Sequence, residues 1–148
     1  MRIALASDHA GFALKRELAV WLGELGYEVI DLGTNGTESV DYPDFGNKLA
    51  NSVATGAAPL GIAVCGSGIG ISIAVNRNPK CRCARVDDPV SAALAREHND
   101  ANVLALGSRL IGPDMAKACV FAFLGSDFSG GRHQHRVNQL SHIPEDSH

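Results

Sequence analysis

The chain has 148 residues, of which 45% are hydrophobic, 20% charged and 5% aromatic, and its formal net charge at pH 7 is −3. This length suits a single domain with one core, and the composition excludes disordered, collagen-like and coiled-coil proteins. The charge excludes a broadly basic surface for nucleic acid or for an anionic membrane, so any anion would be bound locally. Apolar runs are interrupted well short of the ~18 residues that a membrane span requires.

Predicted strands alternate with predicted helices along the chain. Apolar runs predict strands at residues 2–7, 28–32, 60–64, 81–86 and 102–106. A helix is predicted after residue 11, with an apolar stripe at Leu14, Leu18, Leu22 and Leu25, and further helices at residues 45–54, 71–76, 89–98 and 113–124. Gly26 is expected to end the first helix, and Asp88 with Pro89 to begin the fourth.

Five strand–helix units in one short chain predict an α/β fold, a Rossmann-like three-layer sandwich. Its mostly parallel five-stranded sheet would carry helices on both faces. Because no linker or repeat divides the sequence, we predict one domain over residues 1–148. Within it, residues 1–124 would form the α/β core, and residues 125–148 a C-terminal helix and tail.

Polar and titratable residues lie at the ends of several predicted strands. Asp8 and His9 follow the first strand, and Cys65 follows the third. His98 precedes the fifth strand, and Arg109 comes shortly after it. Turn preferences explain any one such residue, but they do not explain an Asp–His pair, a cysteine and an arginine together. Parallel sheets bind ligands beyond the carboxyl ends of their strands, so we expect the chemistry at that edge.

Residues 65–70, Cys-Gly-Ser-Gly-Ile-Gly, join the third strand to the next helix and are called the glycine loop here. Its three glycines leave backbone N–H groups free to bind an anion beside a helix N-terminus. The glycine spacing is not that of a dinucleotide site, a P-loop lysine is missing, and Ile71 stands where a small phosphatase has arginine. A thiol beside an anion-binding loop suits an enzyme that transfers a proton through an enediolate intermediate. The alternative interpretation of this segment is a tight turn between a strand and a helix, with a buried cysteine that has no chemical role.

The C-terminal segment carries two arginines four residues apart, Arg132 and Arg136. On a helix they would lie on one face, where two guanidinium groups can hold a phosphate. A solvated helix face is the alternative interpretation.

The remaining cysteines, Cys81, Cys83 and Cys119, are interpreted as buried apolar filler. The Cys-x-Cys pair lacks a second pair of zinc ligands, and no metal site is predicted. The first residues contain too short an apolar run for a signal peptide, so we expect a reducing, cytoplasmic location.

Six segments together resemble the ribose-5-phosphate isomerase type B family and its sugar-phosphate isomerase relatives. They are residues 7–11, 41–44, 65–70, 96–103, 106–109 and 130–137, and they follow the family's order over residues 3 to about 140. The resemblance implies a homodimer, which could pair into a tetramer, with the site shared between subunits. It also implies interconversion of ribose 5-phosphate and ribulose 5-phosphate by ring opening and an enediolate, without a metal or organic cofactor.

The same resemblance implies a role for each matching residue. Cys65 would be the general base, His98 would open the sugar ring with help from Asp8 or Ser67, and the N–H groups of Gly66, Gly68 and Gly70 would hold the enediolate. His9, Arg109, Arg132 and Arg136 would bind the phosphate, and Tyr42 and Asn99 the sugar. A version of the family uses a glutamate as base in the helix after the loop, where this chain has Ile71, so the cysteine type is expected. Ser67 stands where many members have threonine.

Two alternatives stay open. A six-carbon substrate, allose 6-phosphate or galactose 6-phosphate, would need a roomier pocket between Cys65 and the arginines. A non-catalytic sugar-phosphate sensor on the same fold would be expected to lack the base, yet Cys65 is present.

Overall fold

Five short apolar segments form the sheet at the centre of the computed structural model, which describes residues 1–144. The strands are β1 Arg2–Ser7, β2 Glu28–Asp31, β3 Leu60–Cys65, β4 Cys83–Arg85 and β5 Val103–Gly107, in the spatial order β2-β1-β3-β5-β4. Each pair of neighbours is parallel. Strands β3 and β5 are buried along their whole length, as a parallel sheet covered on both faces requires.

Within residues 1–144 there are six helices, five that cover the sheet and a sixth that packs on one of them. They are α1 Phe12–Glu24, α2 Tyr42–Ala54, α3 Ile69–Asn76, α4 Pro89–Asn99, α5 Pro113–Leu124 and α6 Arg132–Leu140. Helices α1, α4 and α5 pack on one face of the sheet, α2 and α3 pack on the other, and α6 lies against α4. The predicted three-layer α/β sandwich is therefore confirmed. Residues 145–148 of the predicted tail lie outside the described residues.

Two predicted helix boundaries are confirmed by their hydrogen bonds. At the end of α1, Gly26 has a φ of 94°, and the N–H groups of Gly26 and Tyr27 donate to the carbonyls of Gly23 and Leu22, each at 3.1 Å. This paired arrangement is a common way to end a helix, and it favours glycine. At the start of α4, the N–H of Ser91 donates to Oδ1 of Asp88 at 2.8 Å.

Other boundaries differ from the prediction by one to three residues. Strand β4 begins at Cys83, not at residue 81, because the Cys81 N–H donates to the Asn78 carbonyl in a turn and the Arg82 N–H to Oδ1 of Asn102. Strand β2 ends one residue early, at Asp31. Helices α2 and α3 begin three and two residues earlier than predicted. Within residues 1–144, no helix has the length and apolar character needed to cross a membrane.

Candidate active site

A pocket of about 410 Å³ opens beyond the carboxyl ends of β1 and β3. Eight residues singled out in the sequence line it, together with Ala10 and Leu110: Asp8, His9, Tyr42, Cys65, Gly66, Ser67, Gly70 and Arg109. The fold thus brings together segments that lie up to a hundred residues apart, at the edge where parallel sheets bind ligands.

Cys65 is the last residue of β3, and the residue is 4% exposed. The N–H of Gly68 donates a hydrogen bond to its Sγ at 3.1 Å. The loop therefore directs a backbone N–H at the sulfur atom of the cysteine.

The glycine loop contacts the exit of β5 backbone to backbone. Gly68 has a φ of 75°, and a Cβ atom added there would lie 2.8 Å from the carbonyl carbon of Leu106. The N–H groups of Ser108 and Arg109 donate to the carbonyls of Cys65 and Gly66, both at 2.9 Å. Glycine is required at position 68 both for its backbone angle and for this close approach.

Three N–H groups of the loop are free to bind an anion. Those of Gly66, Ser67 and Gly70 donate no hydrogen bond within the described part of the chain, and all three residues line the pocket. The Gly68 N–H, expected in the same group, is directed at the cysteine sulfur, and that of Ile69 donates to Oγ of Ser67 at 3.2 Å. The set of available N–H groups therefore contains that of Ser67 in place of the expected Gly68.

Asp8 and His9 are each held by a backbone N–H. Oδ1 of Asp8 accepts from Gly11 at 3.0 Å. Nδ1 of His9 accepts from Val40 at 3.1 Å, so the neutral imidazole carries its proton on Nε2, which remains available as a donor. Both side chains line the pocket in fixed orientations.

The side chains of Arg109 and Tyr42 form two walls of the pocket, and each lies against a glycine of the glycine loop. A Cβ atom on Gly66 would lie 3.1 Å from Nη1 of Arg109, and one on Gly70 would lie 2.7 Å from Cζ of Tyr42. The guanidinium group and the phenol ring therefore lie directly over positions that carry no side chain. This arrangement leaves room for a ligand between the two walls.

Sequence reasoning missed Arg85, the last residue of β4. Its Nε donates to the Ser67 carbonyl at 2.9 Å, and its Nη1 lies 2.7 Å from Oδ2 of Asp87. Arg85 thus fixes the glycine loop from the neighbouring edge of the sheet. Its place at a strand end was visible in the sequence, but its contact with the loop depends on the strand order.

The structure does not bring the other predicted site residues to this pocket. His98 and Asn99 end α4, before the amino end of β5, whereas Cys65 is paired with Gly107 at the carboxyl end of that strand. The four residue steps from Val103 to Gly107 span about 13 Å. His98 and Asn99 therefore lie towards the opposite edge of the sheet from Cys65.

A second cluster, called the histidine–arginine cluster here, consists of His98, Arg132, His133 and Arg136; Asn99 follows His98 at the end of α4. The rings of His98 and His133 stack with centroids 4.3 Å apart and planes inclined by 13°. Desolvation, followed by the charges of His98, Arg132 and Arg136, lowers the pKa of His133. The cluster is positively charged and presents exposed arginines, properties that suit the binding of an anion.

The three cysteines outside the pocket are held in the thiol form. Burial raises the pKa of Cys81 and of Cys83. Burial, with the charges of Asp88 and Asp87, raises that of Cys119 to about 11. Over residues 1–144, no group of three or more His, Cys, Asp or Glu side chains is arranged to hold a metal ion.

The model of the ribose/galactose isomerase family matches residues 3–140. The chain belongs to this family. It is 47% identical over 144 residues to ribose-5-phosphate isomerase B of Escherichia coli K12, covering 97% of both chains. Among solved structures, this isomerase is similar to ribose-5-phosphate isomerase B of Clostridium thermocellum, with a TM-score of 0.94, 52% identity and 95% of both chains covered.

A further similar structure contains a sugar phosphate. It is ribose-5-phosphate isomerase B of Mycoplasma genitalium with bound ribulose-5-phosphate, with a TM-score of 0.91 and 39% identity. The match covers 95% of this chain and 93% of that one. The comparison of sequences and the comparison of structures therefore lead to the same family.

Proposed function

We propose that this isomerase interconverts ribose 5-phosphate and ribulose 5-phosphate, with Cys65 as the general base. The observation that carries the proposal is a cysteine sulfur beside three free N–H groups in one pocket. Its relatives in Escherichia coli and Clostridium thermocellum are named for ribose 5-phosphate. An aldose–ketose isomerisation moves one proton between neighbouring carbons and needs a base and an oxyanion site.

In the proton-transfer step, the Cys65 thiolate removes the hydrogen from C2 of the open-chain aldose. The electron pair moves towards the C1 carbonyl, and the resulting enediolate oxygen is held by the N–H groups of Gly66, Ser67 and Gly70. The proton of the C2 hydroxyl moves to the C1 oxygen, and return of the carbon-bound proton from Cys65 to C1 gives the ketose with its carbonyl at C2. No oxidant or reductant is consumed, and we propose that the reaction requires neither a metal nor an organic cofactor.

Ring opening precedes proton transfer when ribose 5-phosphate is the substrate. A base removes the proton from the C1 hydroxyl while an acid protonates the ring oxygen, and we assign this exchange to His98 with Asp8 or Ser67. Histidine suits the task because its ordinary pKa lies near neutral pH. Since His98 lies about one strand length from Cys65 of its own chain, we assign it to the site of a second copy.

A second copy also completes the phosphate site. The pocket of one chain contributes Arg109 and the Nε2–H of His9, and Arg132 and Arg136 of the other copy would add two guanidinium groups. Tyr42 and Asn99 would contact the sugar hydroxyls. We therefore propose a homodimer with sites shared between subunits, and leave its pairing into a tetramer as a prediction.

Exposed apolar residues beside the pocket support this dimer. Ile69 and Ile73 lie one turn apart on α3, and 51% and 59% of their surfaces are exposed. Adjacent apolar side chains of this kind commonly mark a protein–protein contact. A cytoplasmic location also belongs to the proposal, because all four cysteines are free thiols, as a reducing compartment requires.

Replacement of Cys65 by alanine tests the base assignment. We expect kcat for ribose 5-phosphate to fall by ~10²–10⁴-fold with a small change in KM, the usual effect of removing a general base. Cys119→Ala is the matched control, because this thiol is buried in the core and away from the pocket. Turnover of Cys65→Ala close to that of the wild type would contradict the assignment.

The same assay separates the alternative functions. We expect the wild-type protein to turn over ribose 5-phosphate with a higher kcat/KM than allose 6-phosphate. The opposite preference would favour a six-carbon substrate. Binding of both sugar phosphates without turnover would favour a sensor.

A further inference from the structure

The residue that follows the end of α4 has an unusual backbone conformation. Asp100 lies in the left-handed region, with φ 46° and ψ 44°, and within residues 1–144 it is the one residue with positive φ that is not glycine. A glycine takes this conformation without strain, as Gly26 does at the end of α1. The presence of a side chain here therefore needs an explanation.

The side chain and carbonyl of Asp100 are held by two arginines. Oδ1 accepts from Nη1 of Arg96 at 3.0 Å, and Oδ2 accepts from Nη2 of Arg82 at 3.3 Å. The Asp100 carbonyl accepts from Nε of Arg82 at 2.9 Å, and Nη1 of Arg96 also donates to the Ala101 carbonyl at 2.6 Å. Both arginine side chains are largely buried, at 19% and 14% exposure, so their positions are well defined.

Arg82 is in turn fixed to the start of β5. Its N–H donates to Oδ1 of Asn102 at 2.7 Å, and its carbonyl accepts from the Asn102 N–H at 3.0 Å. Nδ2 of Asn102 donates to the Lys80 carbonyl at 2.9 Å. The end of α4 is thus connected through one carboxylate to both strands at the edge of the sheet.

We propose that Asp100, together with Arg82 and Arg96, is a positioning residue for His98. It ends α4 directly after Asn99, and it fixes the last helical turn, from which the His98 side chain projects. This inference rests on the proposed function, in which His98 opens the sugar ring. Catalytic groups must be held within a fraction of an ångström of their working geometry, and supporting side chains provide that precision.

Two reactions of the same enzyme separate ring opening from proton transfer. Net conversion of ribose 5-phosphate requires both steps. Exchange of a C1 hydrogen of ribulose 5-phosphate with deuterium from the solvent requires only proton transfer, because this ketose carries its phosphate on the hydroxyl that would close a five-membered ring. A residue that positions only the ring-opening group should affect the first reaction and spare the second.

Asp100→Gly is the decisive variant, because glycine retains the left-handed backbone and removes the carboxylate. We expect net conversion to fall by ~10–100-fold while the exchange stays within about twofold of the wild type. Asp100→Asn keeps a neutral hydrogen-bond acceptor, and its rate of net conversion should lie between those of the wild type and Asp100→Gly. Gly26→Ala, which strains the end of α1 where nothing lies near the added atom, is the control and should leave the ratio of the two rates unchanged.

Equal loss of both reactions in Asp100→Gly, or no loss of either, overturns the inference. If that variant does not fold, Arg82→Gln carries the same comparison with the native Asp100 backbone. A wild-type protein that performs neither reaction overturns the proposed function itself, and the positioning role with it. A wild-type protein that performs both, with an unchanged ratio in the variants, overturns only the positioning role.

Discussion

Gly70 and Tyr42 set one wall of the pocket. Because a Cβ atom on Gly70 would lie 2.7 Å from the Tyr42 ring, Gly70→Ala must displace the phenol. Alanine favours a helix over glycine by ~1 kcal/mol, and Gly70 lies in the first turn of α3, so the fold should persist. We expect KM for ribose 5-phosphate to rise about fivefold, equivalent to ~1 kcal/mol of binding, with a smaller change in kcat.

Steady-state kinetics and thermal unfolding measure the two effects of Gly70→Ala separately. Gly23→Ala in α1 is the matched control, since no atom lies within 4 Å of its added Cβ, and it should leave KM unchanged. An unchanged KM in Gly70→Ala would show that Tyr42 does not contact the substrate.

The burial of Lys15 could not be predicted from the sequence. The apolar stripe of α1 was predicted at Leu14, Leu18, Leu22 and Leu25, but Leu25 is 49% exposed and Lys15 is fully buried. Nζ of Lys15 lies 2.6 and 2.8 Å from the two carboxylate oxygens of Asp31. A lysine is rarely buried without a partner, and this partner on β2 is visible only once the helix is packed on the sheet.

At the scale of elements, the contact between α4 and α6 should respond to pH. The pKa of His133 is lowered in the folded protein, so the unfolded chain binds more protons below the ordinary histidine pKa of ~6.5. The free energy of unfolding from this source is fully present above that pKa and is lost as the pH falls below it, through the lowered pKa of the folded protein. Desolvation of the ring, followed by the positive charges of His98, Arg132 and Arg136, opposes protonation.

Replacement of His133 by glutamine tests this coupling. We expect Tm of the wild type to decline as the pH falls below the ordinary histidine pKa of ~6.5, and the decline to be shallower in His133→Gln. His135→Gln on the same helix controls for the substitution itself. Identical pH profiles of Tm in the wild type and His133→Gln would contradict the expectation.

The succession of elements was predictable, but their spatial order was not. Apolar periodicity and the signals at Gly26 and Asp88 predicted five strands and the helices between them. No local pattern indicates that β5 lies between β3 and β4, because the position of a strand depends on where the preceding helix crosses the sheet. The contact of Arg85 with the glycine loop was hidden for the same reason.

At the scale of the whole molecule, the separation of the two clusters makes the proposed dimer testable by mixing variants. Cys65→Ala and His98→Asn should each be nearly inactive alone. Co-refolding the two in equal amounts should recover about a quarter of the wild-type activity, since half of the dimers would be mixed and each would contain one intact site. Recovery of no activity, with mixed dimers demonstrated by mass spectrometry, would place both groups in one chain's site.

The predicted site residues fall into two groups in the structure. Residues such as Asp8, Cys65 and Arg109 follow parallel strands, and this rule of chain direction brings them to one edge. His98 was recognised with them, yet it ends a helix that runs back to the other edge. Residue type and order along the chain do not reveal this separation, on which the proposed second copy rests.

The glycine loop packs main chain against main chain on the end of β5, and this limits where the site can change. A Cβ atom on Gly68 or Gly107 would collide with the backbone opposite, at 2.8 and 2.6 Å, so neither position accepts a side chain unless the two segments move apart. Under the proposed function, adaptation to a longer or shorter sugar is expected at the walls, where Tyr42 and Arg109 present exposed, replaceable side chains. Such a change would leave the proposed proton-transfer groups in place.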